Sequence, residues 1–377
     1  MNETEKPSAG SRLRQFLKKN PVLLVAALLA AVTSCIVPPD AGYRSYFDLK
    51  TLSCLFCVLA VVCALKNIRF FSHLAEKLVV LTGNFRAAVL ALVFITFIGS
   101  MLIANDMALL TFLPLGYFLL SSTGAERYMA PVFILQNIAA NLGGMLTPFG
   151  NPQNLYLYSF FGIPDGEFFA IMFPPFLLSV ALITLCCFFL PREKIVLRQS
   201  GTPAPPPART VLYLVLFALS IVIVFRVIPY WIGLVVIPLV LLFADRRALA
   251  QVDYPLLLTF VCFFIFAGNL SRVEPVRDWL GGLLGKNPLL VSALSCQVIS
   301  NVPSAILLSR FTGDYRSLLR GVNIGGTGTL IASLASLITF REYASHNPDR
   351  KGYYLGVFSA FNFAFLAVLL AFCSLIG

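Results

Sequence analysis

The chain has 377 residues, 58% hydrophobic and only 12% charged, with a net charge of +11 and a mean hydropathy of +0.85. A soluble domain carries about 25% charged residues, so this composition excludes one and points to a polytopic protein whose first partner is the lipid bilayer. The basic excess does not indicate a nucleic-acid partner: no basic face with interleaved aromatics lies outside the apolar runs, and Lys and Arg of membrane proteins gather in cytoplasmic loops.

Continuous apolar runs at 211–225, 231–244, 254–268 and 353–376 are close to or above the roughly 18–20 residues of a spanning helix. A β-barrel would show alternating segments of about 10 residues instead. The expected fold class is therefore an all-α polytopic membrane protein. Residues 1–20 read as a cytoplasmic tail, and 21–46 as a first transmembrane helix and loop. That helix follows Arg12, Arg14, Lys18 and Lys19 and has no clear small-residue cleavage site after it, so it reads as retained.

Residues 47–190 form a first unit, with an interrupted apolar region at 86–120 and a broken helix at 128–161. Residues 191–209 are a Pro-rich linker on the cytoplasmic side. Residues 210–377 form a second unit, with an interrupted region at 287–312 and a broken helix at 317–340. The interruptions read IANDMA (103–108) and ISNVPS (299–304). Treated as re-entrant hairpins, with the N-terminus inside, they leave about nine full crossings and place most of the 28 Lys and Arg in cytoplasmic segments. The C-terminus is then outside, and the host membrane is the plasma (cytoplasmic) membrane.

The two units repeat. FDLKTLSCLFCVLAVV (47–62) matches VDYPLLLTFVCFFIFA (252–267), each opening on an apolar residue and an aspartate, Asp48 and Asp253. Asn105 aligns with Asn301, and NLGGMLT (141–147) with NIGGTGT (323–329). The topology puts Asp48 outside and Asp253 inside, so the repeats are inverted. Inverted repeats place a site at mid-membrane, where broken helices meet.

The chemistry collects at the breaks. In hydrocarbon an unsatisfied backbone group costs several kcal/mol, so unwound backbone survives only around a shared polar cavity. NLGGMLTPFGNPQN (141–154) carries two adjacent glycines, two prolines and three asparagines. Asp106 is the acidic residue deep in an apolar run, which suits a cation or proton site; capping the helix that follows is its other reading. Asn105 and Asn301 can donate and accept, so either a cation or an oxyanion fits them. Gly150 and Thr329 are further cation-site candidates. The candidate substrate ligands are Asn105, Thr147, Asn151, Asn154, Ser300, Asn301, Thr327 and Ser333.

Of nine cysteines, Cys54 and Cys57 form a C-x-x-C inside a membrane helix, where Cys acts as a small hydrophobe. His73 and His346 are the two histidines, both near loops. No nucleophile–base pair, metal-ligand set or P-loop is legible, which argues against an enzyme or an ATP-driven pump.

TFIGSMLIANDMALLTFLPL (96–115), NLGGMLTPFGNPQN, VISNVPSAILL (298–308) and NIGGTGTLIASLASL (323–337), in this order, resemble the ion transporter superfamily. That group includes arsenite permeases, NhaD-type sodium/proton antiporters, citrate transporters and divalent anion/sodium symporters. The resemblance implies a scaffold domain, a transport domain with two opposed hairpins, elevator-like movement and a homodimer. It places cation sites at Asn105 and Asn301, facing unwound loops around Gly150 and Thr329, with substrate between the tips.

The divalent-anion symporters carry Ser-Asn-Thr at both tips. Here the tips read Ala104-Asn105-Asp106 and Ser300-Asn301-Val302, the first being closer to the arsenite-permease and antiporter branches. The expected activity is secondary transport of a small anion, a carboxylate or inorganic oxyanion, coupled to H+ or Na+ with no other cofactor. Sodium/proton antiport and arsenite-type permeation are the alternatives.

Overall fold

The computed structural model describes residues 20–195 and 203–376. Most of the tail (1–19) and the middle of the linker (196–202) lie outside the described residues.

Eighteen α-helices account for the described chain. The first half holds α1 (Pro21–Ile36), α2 (Leu49–Asn67), α3 (Phe70–Val80), α4 (Phe85–Ile103), α5 (Asn105–Ser122), α6 (Met129–Gly143), α7 (Pro152–Phe160) and α8 (Asp165–Phe188). The second holds α9 (Pro207–Val224), α10 (Tyr230–Ala244), α11 (Arg246–Ala250), α12 (Tyr254–Ser271), α13 (Glu274–Lys286), α14 (Pro288–Ile299), α15 (Asn301–Leu308), α16 (Tyr315–Ile324), α17 (Leu334–His346) and α18 (Lys351–Leu375). Among the described residues the one β contact is an isolated bridge between Asn84 and Lys194. Seven helical segments are long and apolar enough to span a bilayer, and α1, α10 and α14 are shorter apolar helices. The protein is thus an all-α polytopic membrane protein.

Local chemistry sets the helix starts. Asp48 Oδ1 accepts from Thr51 N at 3.0 Å, and Asp253 Oδ1 from Leu256 N at 2.9 Å. The two aspartates that open the sequence repeats are therefore both helix caps, each satisfying an N–H that the first turn leaves free. Asn84, Asn287 and Asp314 cap α4, α14 and α16 in the same way.

The two opening helices run antiparallel. Cys63 Sγ and Asn67 Nδ2 near the end of α2 reach Gln251 O and Asp245 Oδ2, just before α12. Arg272, just past the end of α12, donates to Tyr46 OH at 3.2 Å, just before α2. Arg272 also pairs with Asp40 at 2.7 Å and holds that carboxyl below the usual carboxylate range. The window Glu126–Leu146, which contains α6, is 89% buried, whereas the α8 window is 33% buried. The first broken helix is therefore central and α8 peripheral.

Candidate functional site

Both interrupted regions fold as helix–tip–helix hairpins. Each tip is one residue in the same rare backbone state: Ala104 at φ 65, ψ 153 and Ser300 at φ 73, ψ 160. Only glycine visits that region readily, and holding another residue there costs of order 1–3 kcal/mol. The aligned asparagine follows in both cases as the first residue of the next arm, and its side chain accepts from the N–H after it. Asn105 Oδ1 accepts from Asp106 N at 3.0 Å, and Asn301 Oδ1 from Val302 N at 2.9 Å. Asp106 lies inside α5, in its first turn, and its side chain makes no capping bond. Asp106 Oδ1 is buried with no hydrogen-bond partner.

Each hairpin grips its own broken helix at equivalent points. Thr147 Oγ1 donates to Met101 O at 2.7 Å, and Thr329 Oγ1 to Gln297 O at 3.0 Å; both carbonyls lie four residues before the tip asparagine. The approach needs glycine. A Cβ on Gly143 would sit 2.1 Å from Phe97 O, and one on Gly325 would sit 2.9 Å from Ala293 Cα.

The broken helices then cross, and each bonds to the other beyond its break. Asn141, ahead of the first break, accepts from Ser333 Oγ, beyond the second, at 2.7 Å. Asn323, ahead of the second break, accepts from Asn151 Nδ2 at 3.4 Å and donates to Asn154 Oδ1 at 2.6 Å. Asn137 Nδ2 reaches Ser336 Oγ at 3.3 Å, and Gln153 Nε2 reaches Asn323 Oδ1 at 3.4 Å. Asn105 joins the crossing by donating to Asn141 Oδ1 at 3.1 Å and Ser333 Oγ at 3.4 Å. All of these side chains are buried. Among the described residues no Lys, Arg or His bonds to this network. Asn151 Oδ1 and Gln153 Oε1 are, like Asp106 Oδ1, buried acceptors without a donor.

The candidate residues thus separate by what they touch. Asn105, Asn151 and Ser333 meet at the crossing, with Asp106 next to them in the chain. Asn301 and Ser300 sit at the second tip against the second break, where Asn301 N donates to Ala332 O at 3.0 Å and Ser300 Oγ to the same carbonyl at 3.3 Å. Asn154 spends its amide on the first break: Nδ2 lies 3.1–3.2 Å from the carbonyls of Gly144, Met145 and Thr147. Thr327 Oγ1 bonds locally to Ile324 O. Gly150 packs where a Cβ would lie 2.4 Å from Gly144 O. Asn154, Thr147, Thr327 and Thr329 therefore hold the breaks together.

The sequence reading did not single out Asn137, Asn141, Gln153 or Asn323 as site residues. Asn141 and Asn323 stand at the same place in the NxGG motifs, and Asn137 lies four residues before Asn141, on one helix face. Those were the available signals.

A family profile described as citrate transporter matches residues 16–312. The chain belongs to the citrate transporter family. Its membership agrees with the resemblance read from the motifs, and the family is one of transporters. Relatives include the transporter MJ0456 of Methanocaldococcus jannaschii, 29% identical over 329 residues (87% of this chain and 90% of that protein). The inner membrane protein YbiR of Escherichia coli is 30% identical over 311 residues (80% and 81%). The silicon efflux transporter LSI3 of Oryza sativa is 30% identical over 169 residues (43% and 34%).

Proposed function

We propose that this family member is a secondary active transporter that carries a small oxyanion together with H+ or Na+. The observation that carries the reading is the crossing of the broken helices: a buried cluster of amides and hydroxyls, with Asp106 beside it and no cationic side chain bonded to it. An unpaired charge in such surroundings is expensive. A bound anion there needs positive charge from elsewhere, and a co-bound cation or proton supplies it. The unpartnered oxygens of Asp106, Asn151 and Gln153 are acceptors suited to that cation. Coupling is then a consequence of charge balance in the site.

The tips lack the Ser-Asn-Thr pattern of the dicarboxylate branch, which favours an inorganic oxyanion over a carboxylate. The antiparallel opening helices and the matching tip contacts support two inverted repeats. In this reading the hairpins and broken helices (α4–α7 and α14–α17) move as the elevator against α1, α2, α9, α10 and α12 in a homodimer. The N-terminus is cytoplasmic, the C-terminus outside, and the host membrane is the plasma membrane. A second reading is sodium/proton antiport, which the same three unpartnered oxygens favour, since acceptors alone suit a cation better than an anion.

Purified protein in proteoliposomes, offered phosphate, silicate, arsenite, sulfate, citrate and succinate under imposed Na+ or H+ gradients, tests the choice. Gradient-driven accumulation of an oxyanion supports the first reading. Na+/H+ exchange with no anion accumulated supports the second. Downhill flux with no gradient response contradicts both.

A further inference from the structure

A second polar feature lies away from the crossing, on the face where α2 begins and where α7 and α15 end. It is a cavity of about 270 Å3 whose lining includes Ser45, Asp48, Lys50, Ser159, Phe160 and Arg310. Arg310 is held in place: it donates to Tyr46 O at 2.7 Å and lies over the Phe160 ring, 5.0 Å from its centroid. A guanidinium positioned in a cavity wall is a fragment of an oxyanion site, because its N–H donors match carboxylate and phosphate oxygens. Lys50 adds a second cation and the two serines add hydroxyls. Asp48 lines the same cavity, but Thr51 takes both its oxygens, through N at 3.0 Å and Oγ1 at 2.5 Å.

Two short helices lie between the cavity and the crossing. α7 (nine residues) and α15 (eight residues) are each about 12–13 Å long at 1.5 Å per residue. α15 runs from the Asn301 tip to the cavity, and α7 from the first break to the cavity. Tyr156 OH, midway along α7, and Ser309 Oγ, just past the end of α15, lie 2.8 Å apart and bridge the two helices.

We propose that this cavity binds a phosphate-class oxyanion through Arg310 and Lys50. The site stands on its own chemistry; its role as a mouth that gathers substrate ahead of the crossing rests on the transport reading. The same chemistry would seat either a free anion or a lipid headgroup phosphate.

The test is binding by the full-length protein in detergent, without transport. Thermal unfolding is followed against sodium phosphate, with sodium chloride at equal ionic strength as the reference. A parallel arm titrates short-chain phosphatidylglycerol against phosphatidylcholine. The expected result is saturable stabilisation over the reference that weakens about tenfold or more in Arg310→Gln and in Lys50→Gln, a loss matching one charged contact. Arg310→Lys guards against a folding defect, and Lys286→Gln, which removes an exposed charge outside the cavity lining, is expected to bind as the native protein does. A response to phosphate marks a free-anion mouth; a response to the anionic lipid alone marks a headgroup seat. No saturable effect in either arm, equal binding by both charge variants, or an equal loss in Lys286→Gln would overturn the assignment. Failed transport with intact phosphate binding would count against the transport reading alone.

Discussion

The two hairpins share a tip geometry and differ in almost everything around it. The first has arms of 19 and 18 residues, the second arms of 12 and 8. At 1.5 Å per residue the first pair reaches about 28 Å and the second about 18 and 12 Å, so only the second is too short in both arms to cross a bilayer. The second tip is also pinned: Asn301 N and Ser300 Oγ both bond to Ala332 O. Among the described residues no matching bond joins Asn105 N to Gly150 O, the aligned pair. The first tip instead sends its Asn105 side chain across to Asn141 and Ser333, and carries Asp106 where the second carries Val302. One repeat is braced by its own backbone, while the other places its Asn105 side chain at the shared centre, with Asp106 next to it in the chain. We infer a division of labour in which the second hairpin supports and the first hairpin binds.

Changes at aligned positions sharpen that contrast. The largest effect is expected from Asp106→Asn, with gradient-driven uptake down by about 100-fold, equivalent to about 2.7 kcal/mol. Val302→Asn, its aligned counterpart, should stay within a few-fold of native. Equal loss in both would show that the tips share the ion. Next comes packing. Gly143→Ala drives a Cβ against the backbone oxygen of Phe97 and should destabilise by about 1–3 kcal/mol. Gly325→Ala meets Ala293 at a longer distance and should lower the unfolding midpoint less; the reverse order would argue against the tight first grip.

Asn105→Ala removes two cross-site hydrogen bonds and the bond to Asp106 N, and should slow transport about tenfold at about 1 kcal/mol or less per bond. Asn301→Ala leaves the backbone bond to Ala332 in place and should slow it less. The smallest difference is between Ser336→Ala, which removes one long hydrogen bond and should cost about 1 kcal/mol in thermal unfolding, and Asn154→Ala, which frees three break carbonyls. If Ser336→Ala proved the more damaging, Asn154 would not be the clamp of the first break.

The sequence carried the skeleton of this arrangement. Glycine, proline and asparagine clustered inside apolar runs point to breaks, so both hairpin tips and both unwound stretches were legible, as was the aspartate that opens each repeat. The crossing was not. Asn137, Asn141 and Asn323 sit within helical turns, and their partners lie more than 150 residues away in the other half. Periodicity gives the face of a helix but not what that face meets. For the same reason Thr147 and Thr329 read as ligands when the structure spends their hydroxyls on hairpin carbonyls. Asn154 is buried and polar, and its amide N–H is taken by the backbone it holds. The tip strain at Ala104 and Ser300 has no sequence signal, since neither residue is glycine.

The central claim is that charge balance at the crossing runs through Asp106. Its most direct measurement compares native protein and Asp106→Asn in proteoliposomes for two processes: accumulation of the transported oxyanion under an imposed Na+ or H+ gradient, and counterflow exchange with no gradient. The account predicts that Asp106→Asn keeps exchange and loses the gradient response. Accumulation that still follows the gradient in Asp106→Asn, to the native extent, would contradict it.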